Sequence, residues 1–202
     1  MTPVTDTYRE RLHGLSSATA AAIAPLVDAY QRGGLEDTEF AAAVATVIAA
    51  GNAKAAALAD LTLAHLLGKP PAGTVAPAAD LARLREAVGT ITAEFVPNEP
   101  GLLSRLTVRI DRLGASAPLE AAQLSWQTGL RVRRIPGWTR LAAAGACRLC
   151  TSLADGTILS PSTPMVTHPG CTCTAMPVTR EVSIRDDRST RNIRRPDRNR
   201  DT

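Results

Sequence analysis

The stretch CRLCTSLADGTILSPSTPMVTHPGCTC, residues 147–173, holds all four cysteines of the chain and one of its three histidines. Gly and Pro interrupt it every few positions, so it reads as small hairpins rather than as helix. Cys147-x-x-Cys150 has the spacing at which two thiolates converge on one tetrahedral ion, and His168-x-x-Cys171-x-Cys173 returns with three further donors. Five donors compete for four positions. The preferred set is Cys147, Cys150, His168 and Cys171, with Cys173 either replacing His168 or standing by as a neighbouring thiol.

Other uses of clustered thiols fit less well. A redox CxxC normally opens a helix after a strand in a βαβ unit, and no such unit is legible here. A disulfide framework needs an oxidising compartment. The N-terminus MTPVTDTYRERLHG has acidic and polar residues where a secretion signal would be basic and then apolar, and the chain reads as soluble and cytosolic, with reduced thiols. Cysteines buried without metal in a tight turn remain the plain alternative. If zinc binds, a structural role is expected, because the N and S donors can fill all four positions and Asp155, the one carboxylate nearby, precedes Gly156 in a turn pattern.

Upstream, the sequence reads as helical. Tyr8, Leu12, Leu15, Thr19, Ile23, Leu26 and Tyr30 recur at helical spacing up to Gly33-Gly34, with a kink or break expected at Pro25. A second stripe starts with Asp37 as N-cap, follows Phe40, Val44, Val47, Ile48, Ala55, Leu58, Leu61 and His65, and stops near Gly68. After the linker PPAGTVAP, Leu81, Leu84, Val88, Ile91 and Phe95 form a third helix. Leu103, Leu106, Ile110 and Leu113 form a fourth that Gly114 should end, and Ser116 caps a fifth reaching Leu130. The helices are rich in alanine, and aromatic residues are only 3% of the chain. Alanine buries little area, so these helices are expected to pack against partners or copies of themselves. Asp28, Lys54 and Asp60 interrupt the apolar runs, and no membrane span is expected.

The fold class is therefore α+β: a predominantly helical body over residues 1–130, a Cys/His hairpin module over 131–179, and a basic tail over 180–202. The tail has eight arginines, Arg194 and Arg195 among them, against five acidic residues, a net +3 of the chain's +4. Its composition is that of a segment unordered in isolation. Arg131, Arg133, Arg134 and Arg140 form a second basic group just before the module. Either group could make non-specific contact with DNA phosphates or an acidic protein surface, although no aromatic residues interleave the tail for base stacking. Trp126 and Trp138 read as core residues, and His13 and His65, without ligand-spaced partners, as ordinary helix residues.

The order Gly137-Trp138-Thr139-Arg140, Cys147-Arg148-Leu149-Cys150, Leu153-Ala154-Asp155-Gly156 and His168-Pro169-Gly170-Cys171-Thr172-Cys173 resembles the C-terminal motif of bacteriophage minor head proteins of the Mu F type. The likeness covers residues 137–178, more loosely the helices before them. It implies a minor virion component, made in the host cytoplasm, that associates with portal and capsid proteins and helps to assemble the head. Thr172 departs from the family, which commonly has a basic residue between the last two cysteines. No GxSxG nucleophile motif is present, and no enzymatic activity is expected. Two rival classes remain, a nucleic-acid-binding zinc module and an HNH-type nuclease. The nuclease would need His168 as its catalytic base, yet no acidic residue adjoins it in Thr167-His168-Pro169.

Overall fold

The computed structural model describes residues 3–74, 80–94 and 102–179. Helices α1 (Pro3–Gln31), α2 (Asp37–Leu67), α3 (Asp80–Ala93) and α4 (Leu102–Val132) form the body, followed by strand β1 (Gly137–Leu141), the short helix α5 (Arg148–Ser152) and strand β2 (Thr174–Val178). The two strands pair antiparallel, with Trp138 opposite Pro177 and Arg140 opposite Ala175. This is the α+β organisation expected, with a helical body and a small Cys/His module. Phe95 and the tail, with Arg194 and Arg195, lie outside the described residues.

Helix ends follow local chemistry. At the start of α2 the backbone N–H of Glu36 donates to Glu39 Oε2 at 3.1 Å, half of a capping box, which places the cap one residue before Asp37. Gly68 ends the helix at φ 60°, where Gly68 N–H reaches His65 O and Lys69 N–H reaches Ala64 O.

Two expected breaks do not occur. Pro25 sits within α1 on its exposed face, where water can satisfy the carbonyl that proline leaves unpaired. Gly114 and Pro118 both lie inside α4, so the predicted fourth and fifth helices are one. Gly114 marks a crossing: a Cβ there would stand 2.5 Å from Ile23 Cδ1 on α1. Gly51 does the same for α1 and α2, where a Cβ would meet Thr19 Oγ1 at 2.4 Å. Small residues let these backbones approach closely.

Helix α2 runs through the centre of the body and touches α1, α3 and α4. Its lower half is turned relative to the predicted stripe: Ala55, Ala59 and Leu63 are buried, while Leu61 and His65 are exposed. By length and composition it is apolar enough to cross a membrane, contrary to the reading from sequence, since Lys54 and Asp60 are too few to offset its alanines and leucines. In this fold it is a core helix, with its buried Asn52 and Asp60 paired to protein groups.

Two apolar clusters divide the interior. One joins Ile23, Val27, Phe40, Val44, Ile48, Leu84, Val88 and Ile110 among the four helices. The other begins with Tyr8, Leu12, Leu63, Trp126 and Leu130 and continues without interruption into Trp138, Cys150, Met165, Cys171 and Cys173. Module and body thus share a core, and Trp126 Nε1 donates across the junction to Ala175 O at 2.6 Å.

Beside the second cluster lies a buried ion pair. Arg133, just past α4, donates to Asp60 Oδ1 at 2.7 Å, and both side chains are only 5% exposed. The Asp60 carboxylate also accepts from the backbone of Ala72, Gly73 and Thr74, at 3.0, 2.8 and 3.3 Å, and Arg133 donates to Pro70 O at 3.0 Å. Burial alone would raise the Asp60 pKa, but the guanidinium and three N–H donors outweigh it and hold the carboxyl below its usual value.

A group with a depressed folded-state pKa stabilises the fold above the ordinary carboxyl range and loses that contribution as pH falls through the depressed value. Asp60→Asn should therefore cost about 3–5 kcal/mol at pH 7, since it leaves a buried guanidinium unpaired. In urea titrations at stepped pH, the gap to wild type should close below about pH 4; a gap that stays constant into acid would contradict this account.

Candidate metal centre

The CxxC pair is folded by a cap. Cys147 precedes α5 in extended conformation, and its sulfur accepts from Cys150 N–H at 3.5 Å while Thr151 N–H reaches Cys147 O at 2.9 Å. That single turn folds the second cysteine back beside the first. His168 and Cys171 are brought together by a β-turn: Cys171 N–H reaches His168 O at 3.0 Å, with Pro169 and Gly170 (φ 80°) at the central positions. Proline followed by a positive-φ glycine is the signature of a type II turn.

The two turns face each other. His168 Nε2 lies 3.3 Å from Cys147 Sγ and 3.2 Å from Cys150 Sγ, and Cys150 Sγ lies 3.7 Å from Cys171 Sγ. With metal–sulfur bonds of about 2.3 Å at tetrahedral angles, two thiolates on one zinc-sized ion stand about 3.8 Å apart. The donors form two triads that meet at Cys150: Cys147, Cys150 and His168, and Cys150, Cys171 and Cys173. This cluster could hold a metal ion. All four cysteines are free thiols, so no disulfide competes for them.

His168 is oriented for ligation. Its Nδ1 lies 2.9 Å from Pro169 O, and a carbonyl can only accept, so the proton belongs on Nδ1 and Nε2 presents its lone pair to the sulfurs. The same carbonyl is the main influence raising the His168 pKa. Cys147 is pulled down, chiefly by Cys150 N–H. Cys171 is pushed up by burial but pulled down further by Cys173 N–H and the neighbouring sulfur, for a net decrease. Cys150, which burial and the surrounding thiols both disfavour as an anion, is pushed well up. Three thiolates cannot share this space without a cation to offset them.

The turn expected at Asp155-Gly156 is present. Thr157 N–H reaches Asp155 Oδ1 at 2.9 Å and Gly156 adopts φ 84°, so Asp155 closes a turn on the surface, and its carboxyl is held below its usual range mainly by that N–H. Trp138 fills the module, with Nε1 donating to Ser160 O at 3.0 Å and its backbone bridged to Leu159. Cys173 points into the shared core and borders a small cavity with Tyr8, Trp126 and Met165.

The basic group ahead of the module is divided. Arg131 and Arg134 are exposed, Arg131 in the last turn of α4 and Arg134 at φ 52° in the turn that follows. Arg133 is not available to a phosphate, because its guanidinium is buried on Asp60. Arg140 is buried too, and donates through Nη1 to Cys150 Sγ at 3.4 Å and through Nη2 to Val166 O. Sequence reading placed Arg140 with the surface arginines and missed this contact. The signal was the two-residue period of the strand: Arg140 follows Trp138 by two and shares its inward face.

Compared with family models, with curated proteins and with solved structures, the chain matches none of them.

Proposed function

We propose that this protein is a minor head protein of the Mu F type, made in the host cytoplasm and built into the virion, where it works through contacts with portal and capsid proteins. The observation that carries the reading is the convergence of the residues that bear the resemblance. Trp138, Cys147, Cys150, His168, Cys171 and Cys173 stand on separate turns and strands of the module yet meet in one core and donor cluster, as a motif with one structural purpose would. Protein contact is further supported by apolar side chains left in solvent, among them Leu149, Leu153 and Val166 on the module and Leu61, Val108, Leu124 and Val132 on the body. The turn of His168 Nε2 onto two sulfurs favours a ligand role over the catalytic base of an HNH-type nuclease.

Zinc is the metal this reading assigns. Nitrogen and sulfur donors at tetrahedral spacing suit it, and a redox-silent ion can hold a hairpin module together in a reducing cytosol. Full-length protein purified under reducing conditions without chelators should contain about one zinc per chain by elemental analysis. Metal-free protein would remove the zinc assignment while leaving the head-protein reading to its own test.

That second test is genomic and compositional. A portal gene upstream and scaffold or major capsid genes downstream are expected, together with the protein's peptides in mass spectra of purified particles. Placement among non-viral genes, or absence from intact particles, would overturn the proposal.

A further inference from the structure

Arg140 is a cation in the interior. It is 6% exposed, and among the described residues its guanidinium is in ion-pair reach of no carboxylate. Its partners are Cys150 Sγ and Val166 O, one a thiol and the other a neutral carbonyl. A buried charge without an opposite charge costs several kcal/mol, on the order of what a small domain has in total stability. Among the described residues, the source of compensating charge that the guanidinium touches is the sulfur cluster.

Charge balance then discriminates between ligand sets. A divalent ion with three thiolates and a neutral imidazole carries one net negative charge, which one arginine cancels. Four thiolates would leave the buried group negative, and two thiolates with the histidine would leave it positive. We propose that Arg140 is the counter-charge of the metal centre, a positioning residue that fixes the ligands as Cys147, Cys150, Cys171 and His168 and leaves Cys173 as a packed core thiol.

Cys171 and Cys173 share one donor triad with Cys150, and their contacts favour Cys171 as the third sulfur. Cys171 Sγ stands 3.7 Å from Cys150 Sγ, and Gln123 Nε2 pins the Cys171 carbonyl from α4 at 2.9 Å. Cys173, at the edge of β2, borders the cavity beside Tyr8 and Trp126 on the body side. Arg140 itself is held by strand register, opposite Ala175, whose small side chain leaves room for the guanidinium to extend toward α5.

The inference rests on the metal reading above, and the two can fail separately. The probe is Co2+ alone, titrated into reduced full-length protein and followed by its ligand-field and sulfur-to-metal absorption. Arg140→Met should weaken Co2+ binding about 10- to 100-fold, the usual scale for a lost outer partner of a ligand, and Arg140→Lys should recover most of it. Cys173→Ser should leave stoichiometry and thiolate absorption unchanged, whereas Cys171→Ser should reduce that absorption.

A double-variant cycle separates charge from packing. Cys147→His replaces a thiolate with a neutral ligand, so in wild type it should weaken binding by leaving Arg140 uncompensated. In the Arg140→Met background the same change restores neutrality and should cost clearly less, or tighten binding. Additive effects would overturn the counter-charge role, because a purely structural arginine predicts no such coupling. Loss of thiolate absorption in Cys173→Ser would overturn the ligand assignment. A wild type that takes up no Co2+ would remove the metal centre and this role with it.

Discussion

The Asp60 carboxylate determines where three parts of the chain meet. It lies on α2, collects three backbone N–H groups from the segment after that helix, and receives Arg133 from the end of α4. Each contact is cheap only because the others exist. A buried carboxylate needs its donors, the turning backbone needs an acceptor, and the guanidinium needs both Asp60 and Pro70 O. The consequence reaches the candidate site, since the chain leaves Arg133 for β1 within a few residues, and the direction fixed there carries Trp138 and Arg140 onto the cysteines.

The body reaches a packed interior with few large side chains by bringing helix axes close together. Gly51 and Gly114 stand where Thr19 and Ile23 would collide with any β-carbon, and alanines such as Ala45, Ala55, Ala56 and Ala59 line the buried face of α2. Close backbones recover in dispersion contact part of what small side chains lack in area. The few aromatics are placed at junctions: Tyr8 against Trp126 at 5.0 Å between α1 and α4, and Tyr30 stacked on Phe40 at 4.3 Å between α1 and α2.

Periodicity made the helices legible, because buried positions such as Leu12, Ile23, Phe40 and Val88 recur as a one-sided stripe must. It failed where a local rule was overridden by packing. Gly114 looks like a stop signal, yet it is a crossing point, and Pro118, expected in the first turn of a new helix, is buried in the middle of α4. The donor set was legible for a different reason: CxxC and HxxC spacings each encode a tight turn that points two ligand atoms the same way. Nothing local encodes how those turns face each other, nor that arginines seven residues apart, Arg133 and Arg140, leave the surface for unrelated buried partners.

Those two arginines express one constraint with opposite outcomes. Arg133 meets a carboxylate, so its charge is neutralised within the folded chain. Arg140 meets a cysteine whose burial and thiol neighbours resist ionisation, and among the described residues its charge meets no carboxylate. In the proposed centre, an ion that gathers three thiolates would turn that mismatch into a balanced pair. The module shares its core with Trp126 and Leu130, so the donor cluster is continuous in packing with α4. On the proposed reading the cysteines would hold the shape of the module, and exposed apolar residues such as Leu149, Leu153 and Val166, rather than the donors, would be the surface offered to a partner.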